Sequence, residues 1–84
     1  MNSSSRPYIE QFPVGTRVRI VDHTQLERFR ADWHYHHPLA PEQRAYAGHE
    51  AAVREVSFYR GGDVLYVLDG IPGIWHEGCL VRVR

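Results

Sequence analysis

The sequence predicts a mainly β fold, a small barrel of about five strands with a helix-containing insertion after the first strand. Three observations predict it. Around residues 16–21, Val14, Val18 and Ile20 share one parity and Arg17 and Arg19 the other, the period of a half-buried strand. Gly61-Gly62 stands between Tyr59 and Val64, and adjacent glycines accept the positive φ angles that a tight hairpin demands. Residues 22–48 form a connection too long for an ordinary loop in a small domain, so they are expected to carry structure of their own.

Taken in order, residues 1–7 read as a disordered tail, since MNSSSR has no periodic apolar residue, and a single domain is expected over 8–84. Pro13 and Gly15 turn the chain into the first strand. Within the insertion at 22–48, Thr24 and Glu27 have capping-box spacing, and Leu26, Phe29 and Trp33 follow at helical intervals. That predicts a helix from about Gln25 to Tyr35, stopped by Pro38 and Pro41, with one more helical turn over 41–47. In 49–59, Ala51 and Val53 have one parity and Val56 and Phe58 the other, so a bulge is expected near Arg54 and Glu55. The stretch 63–68 is apolar on both faces and should be the most buried strand. Asp69-Gly70 should open a loop holding Pro72 and Gly73, followed by a 3₁₀ turn over 75–77. A last strand over 79–83 would turn Cys79, Val81 and Val83 inward.

With 84 residues there is room for one small domain, which buries roughly 60–65% of its unfolded surface and leaves little space for a deep active-site cavity. Ten basic residues, all arginine, balance ten acidic ones, which argues against a strongly basic nucleic-acid module or a cationic membrane peptide. A single cysteine excludes an internal disulfide and fits a reducing, cytoplasmic setting. No signal peptide or membrane-spanning run is seen.

The strand pattern, with its long first connection, glycine hairpin and 3₁₀-like turn into the last strand, resembles an SH3-like barrel. Val14-Gly15-Thr16-Arg17-Val18-Arg19-Ile20 resembles the opening VGxRVRV strand of the SH3-like domain in the nitrile hydratase β-subunit family, and His23-Thr24-Gln25-Leu26 is similar to its HTxL segment. Tyr46-Ala47-Gly48, with Val53 downstream, is similar to that family's Y-x-x-G-x-x-G-x-V stretch, with a non-glycine at the second glycine. Accessory subunits of photosystem I and of ferredoxin-thioredoxin reductase share the general pattern. The resemblance implies an accessory or partner-binding role. No catalytic residue carries over, because in nitrile hydratase the metal-binding cysteines sit on the other subunit, and the insertion over 29–44 departs from the family.

Three constellations deserve weighing on their chemistry. His34, His36 and His37 crowd one stretch, where imidazoles bind zinc, copper or nickel, but only His34 and His37 share a helical face and Pro38 ends the helix there. His76 and Cys79, with Glu77 near, have the spacing of a thiolate-imidazole pair, against which stand an inward-facing cysteine and the lack of an oxyanion-stabilising glycine-rich element. Trp and Tyr supply contact area with a polar handle and favour interface centres, whereas Phe12, Phe29 and Phe58 are expected in the core. If the long loop, hairpin tip and 3₁₀ turn converge, Trp33, Tyr35, Tyr59, Trp75 and His76 line one partner-binding groove; otherwise Trp33 folds the insertion back on the barrel and Trp75 plugs an open end. Arg17, Arg19, Arg54, Arg60, Arg82 and Arg84 are expected on outer strand faces among acidic neighbours.

The leading expectation is a non-enzymatic protein-protein interaction or accessory-subunit domain, with a larger enzyme subunit as one kind of protein partner, no cofactor and no membrane. The alternative is a nucleic-acid-binding SH3-like module of KOW or Tudor type, and the third is a His-rich metal-binding protein.

Overall fold

The structure is a computed structural model and describes residues 9–60 and 62–84. The predicted tail, the expected domain start at Tyr8 and the first glycine of the hairpin pair lie outside the described residues. Strand β1 (Arg17–Ile20) is followed by helix α1 (His23–Asp32) and a first 3₁₀ helix (Pro41–Tyr46). Then come β2 (Glu50–Phe58), β3 (Val64–Leu68), β4 (Ile71–His76), a second 3₁₀ helix (Glu77–Cys79) and β5 (Leu80–Arg82). The strands form one antiparallel sheet in the order β4-β3-β2-β1-β5. This is the predicted mainly β architecture of five strands with a helix after the first.

The long strand β2 organises the sheet, pairing β1 along its first residues and β3 along the rest. Its register shifts between Val53 and Glu55, where the change of apolar parity predicts a bulge, and such a bulge sharpens the local twist. Strand β3 is the most buried, with Val64, Leu65, Tyr66 and Leu68 inside. The main core joins Val18 and Ile20 of β1, Val53, Tyr66, Leu68, Trp75 and Leu80 with Leu26 and Leu39 from the insertion. The insertion is therefore part of the folding unit, since removing a buried leucine from such a core costs about 2–5 kcal/mol.

Several boundaries differ from expectation for identifiable reasons. Helix α1 starts two residues before Gln25 because Asp22, not Thr24, caps it, the carboxylate accepting from the Gln25 amide at 2.9 Å. It ends at Asp32, three residues before the expected stop, where Trp33 turns extended and its amide still donates to Phe29 O at 2.9 Å. Val14 is 65% exposed, outside the inward series, because the turn closed by Thr16 N and Pro13 O precedes the strand and breaks its period. Phe58, read as a core aromatic, is 39% exposed at the end of β2.

The stretch read as a loop with Pro72 and Gly73 is strand β4. At the sheet edge Pro72 has no ladder donor to lose. Between the pairs Leu68↔Ile71 and Tyr66↔Trp75, only Val67 of β3 faces Pro72, Gly73 and Ile74, so β4 bulges. Gly73 sits at φ +97°, in the left-handed region, and a Cβ there would lie 2.8 Å from Gln43 Nε2. Gln43 is buried and braces the insertion, accepting from the Ala40 amide at 2.8 Å and donating to Ile74 O at 3.1 Å.

The 3₁₀ turn falls two residues later than expected, over Glu77–Cys79, and so resets the phase of the last strand. Cys79 is buried, but Leu80 then takes the inward position and Val81 is 38% exposed, the reverse of the expected alternation. Arg17 and Arg19 face outward as expected, whereas Arg82 turns back over Phe12, its guanidinium 5.8 Å from the ring and donating to Gln11 O at 2.8 Å. Tyr66, wholly buried, donates to Glu77 Oε2 at 2.5 Å, and the same oxygen accepts from the Gln11 amide at 3.0 Å. Burial, followed by the Glu77 contact, drives the Tyr66 phenol far above its ordinary range.

Candidate functional site: an aromatic and histidine seam

Adjacent residues of a strand point to opposite faces, and β4 uses this to divide Trp75 from His76. Trp75 pairs with Tyr66 across the ladder and is wholly buried in the main core. It takes the place of the plug in the sequence alternatives and does not reach the surface. Its indole Nε1 is the buried side-chain polar atom without a partner among the described residues. His76 turns to the other face, where α1 and the following turn cover it.

There the end of α1 and the segment after it build a seam of rings against the β2–β3 hairpin. Phe29 stacks on Trp33 at 5.6 Å between centroids, and His76 lies 5.0 Å from Phe29 and 4.8 Å from Trp33. The Trp33 indole N–H donates to His36 O at 2.6 Å, which closes the chain into a tight turn. Tyr35 meets the Trp33 ring edge-on at 5.0 Å, and His36 stacks flat on Tyr59 at 3.7 Å. Gly62, at φ +98°, donates to Tyr59 O and so holds the hairpin tip in reach.

Polar contacts fix the seam. His36 Nε2 lies 2.7 Å from Asp63 Oδ2, and His36 Nδ1 lies 2.8 Å from His37 Nδ1. Only one hydrogen fits in the second gap. With His36 Nε2–H donating to the carboxylate, a neutral His36 accepts from His37 Nδ1–H, and a charged His36 reverses that contact. Among the described residues His37 is the non-glycine residue with positive φ, at +50°, a conformation costing about 1–2 kcal/mol. It is held there from both ends, by the imidazole contact and by His76 Nε2–H, which donates to His37 O at 2.7 Å. A carbonyl only accepts, so this contact fixes the His76 tautomer and leaves its Nδ1 with a lone pair. Burial is the main influence on His76 and holds its pKa below the ordinary 6.5, against the opposing pull of the His37 carbonyl.

Four of the five residues expected to line a groove are brought together here: Trp33, Tyr35, Tyr59 and His76. Tyr35 is 70% and Tyr59 41% exposed, while Trp33 is half-buried and His76 is 4% exposed beneath them. The residues that sequence reasoning left out are Phe29, assigned to the core, and Asp63, whose pairing spans 27 positions in sequence. His36 and His37 belong to the seam, but His34 is exposed and makes no contact in it, so the three do not form one cluster. Among the described residues no group of three or more His, Cys, Asp or Glu is placed to hold a metal ion. At Cys79, burial pushes the thiol up to about 12, against the smaller opposing effect of the His76 backbone, so the thiol is protonated at neutral pH.

The arrangement offers a partly exposed aromatic surface over a hydrogen-bonded polar frame. Among the described residues, no helix is long and apolar enough to cross a membrane. In comparisons with known proteins, no family model, no curated protein and no solved structure matches this chain.

Proposed function

We propose that this chain is a non-enzymatic protein-interaction domain that binds its partner through the seam, as an accessory subunit of a larger assembly does. The observation that carries the reading is the pair Tyr35 and Tyr59, exposed at 70% and 41% yet each braced on a buried or half-buried ring. Exposed aromatics already fixed in place lose little entropy on binding, which is what makes tyrosine an interface anchor. The reading as an accessory subunit, drawn from the resemblance to the SH3-like domain of the nitrile hydratase β-subunit family, is supported by a strand order that sets β5 beside β1 with a 3₁₀ helix leading into it. The arginines of the β1 face are partly countered, with Arg17 lying 3.8 Å from Glu50, which favours a protein over a nucleic-acid partner.

The test is capture from a nuclease-treated lysate of the source cells with the wild-type chain and with a Tyr35→Ser/Tyr59→Ser double variant of unchanged melting temperature. A stoichiometric protein held by the wild type, retained in moderate salt and lost from the variant, is expected. Recovery of nucleic acid instead, with binding that falls steeply as salt rises, would overturn the reading.

A further inference from the structure

Beneath the seam, a cavity of about 250 Å³ opens between α1, the hairpin tip and the second 3₁₀ helix. Phe29 and Trp33 form one wall, and Asp63, His76 and Glu77 lie among the other lining residues. Its volume is below the roughly 300–1,000 Å³ of a site for a drug-sized molecule and suits a single side chain.

What the polar side chains among these residues leave unused is all of one kind. Asp63 engages His36 through Oδ2, and Glu77 engages Tyr66 and Gln11 through Oε2, so each carboxylate keeps a second oxygen without a partner among the described residues. His76 spends Nε2–H on His37 O and keeps a lone pair on Nδ1, an atom with no hydrogen-bond partner among the described residues that is not itself fully buried. The one side-chain donor in the opposite wall, the Trp33 indole N–H, is committed to His36 O. No arginine lines the cavity among the described residues. The cavity is therefore lined by three side chains that each keep a spare acceptor, two of them anionic, and by two aromatic rings, with no Arg or Lys among its described lining residues.

We propose that this cavity receives the guanidinium group of an arginine side chain presented by a protein partner. A guanidinium is planar, carries five N–H donors in a fork, and is weakly enough hydrated to lie on aromatic faces, so one group satisfies the carboxylates, the imidazole nitrogen and the rings together. An anion meets two like charges there, and a neutral apolar side chain leaves the second oxygen of each carboxylate without a hydrogen-bond donor. The proposal rests on the protein-interaction reading and adds the chemistry of the contact.

The test is an amide and indole NMR titration of the full chain with an N-acetylated, C-amidated Gly-Arg-Gly peptide and with the same peptide carrying citrulline, the uncharged isostere. Saturable shifts centred on the Trp33 indole and the Gly62 and Gly78 amides are expected with arginine and not with citrulline. In an Asp63→Asn/Glu77→Gln variant, which keeps acceptors for His36 and Tyr66, the affinity should fall by about tenfold or more. Equal responses to both peptides, or no saturable response to arginine, would overturn the proposal, and this comparison needs no variant. If the peptide fails while Tyr35- and Tyr59-dependent capture persists, the guanidinium site is refuted and the interaction reading stands. If the peptide binds while capture fails, the cavity serves a free guanidinium compound and its assignment to a protein partner is overturned.

Discussion

Acid should loosen this domain through His76 more than through any exposed histidine. Its imidazole is 4% exposed, its Nε2–H is spent on His37 O, and burial holds its pKa below 6.5. The groups that face it are His36 and His37, which oppose protonation, and Asp63, which favours it without overcoming burial. A base whose folded pKa is depressed binds fewer protons folded than unfolded, so its contribution is complete above 6.5 and is lost as pH falls below that value. If the folded imidazole stays neutral throughout, going from about pH 7.5 to about pH 5.5 removes about 1.4 kcal/mol, with a limiting slope of about 1.4 kcal/mol per pH unit. In a domain of this size that corresponds to roughly 5–10 °C of melting temperature. The assay is urea unfolding followed by Trp fluorescence across this range, for the wild type and for His76→Gln, whose amide can still donate to His37 O but does not titrate. The variant should show a shallower pH dependence than the wild type, by at most one proton of linkage, and parallel pH profiles for the two chains would refute the reasoning.

Trp75→Ala should cost about 3–5 kcal/mol, because the ring is wholly buried among Tyr66 and the β4 core, and calorimetry showing a loss under about 1 kcal/mol would remove it from the core. Asp22→Ala should cost about 1 kcal/mol by removing the cap on Gln25 N, with Asp22→Asn close to neutral in the same denaturant titration. Gly73→Ala should destabilise by about 1–3 kcal/mol, since it strains φ +97° and drives a methyl against Gln43; in a Gln43→Ala background the steric part of that cost should disappear. Cys79, buried with its thiol raised to about 12, should resist a thiol reagent at neutral pH until urea opens the fold.

How much of this was readable from the chain depends on the range of the interaction that decides each feature. Alternation is a nearest-neighbour property, and it sufficed for β1, for the buried β3 and for the bulge after Val53. Phase is lost whenever a helical turn intervenes. The 3₁₀ helix over Glu77–Cys79 put Leu80, not Val81, on the inner face, although Cys79 is buried as its apolar character suggests. Strand β4 was hidden because proline and glycine mark turns in general, whereas an edge strand tolerates the one and a bulge requires the other.

That misassignment explains the fate of the site. A 3₁₀ turn at residues 75–77 would have left Trp75 and His76 free to approach one groove. Once β4 runs to His76, the pleat sends these neighbours to opposite faces, one into the core with Tyr66 and the other under Phe29 and Trp33. The approach of the long insertion to the hairpin is implied only by the SH3-like resemblance, and the structure brings Trp33, Tyr35 and Tyr59 into one chain of ring contacts through His36. Which side chain of the hairpin would receive His36 was not inferable, because Asp63 is 27 residues away and meets it only through the path that Pro38 and the left-handed His37 impose. The buried His76 tautomer sets that path from beneath, by holding the His37 carbonyl. The exposed tyrosines therefore inherit their positions from a histidine they do not touch.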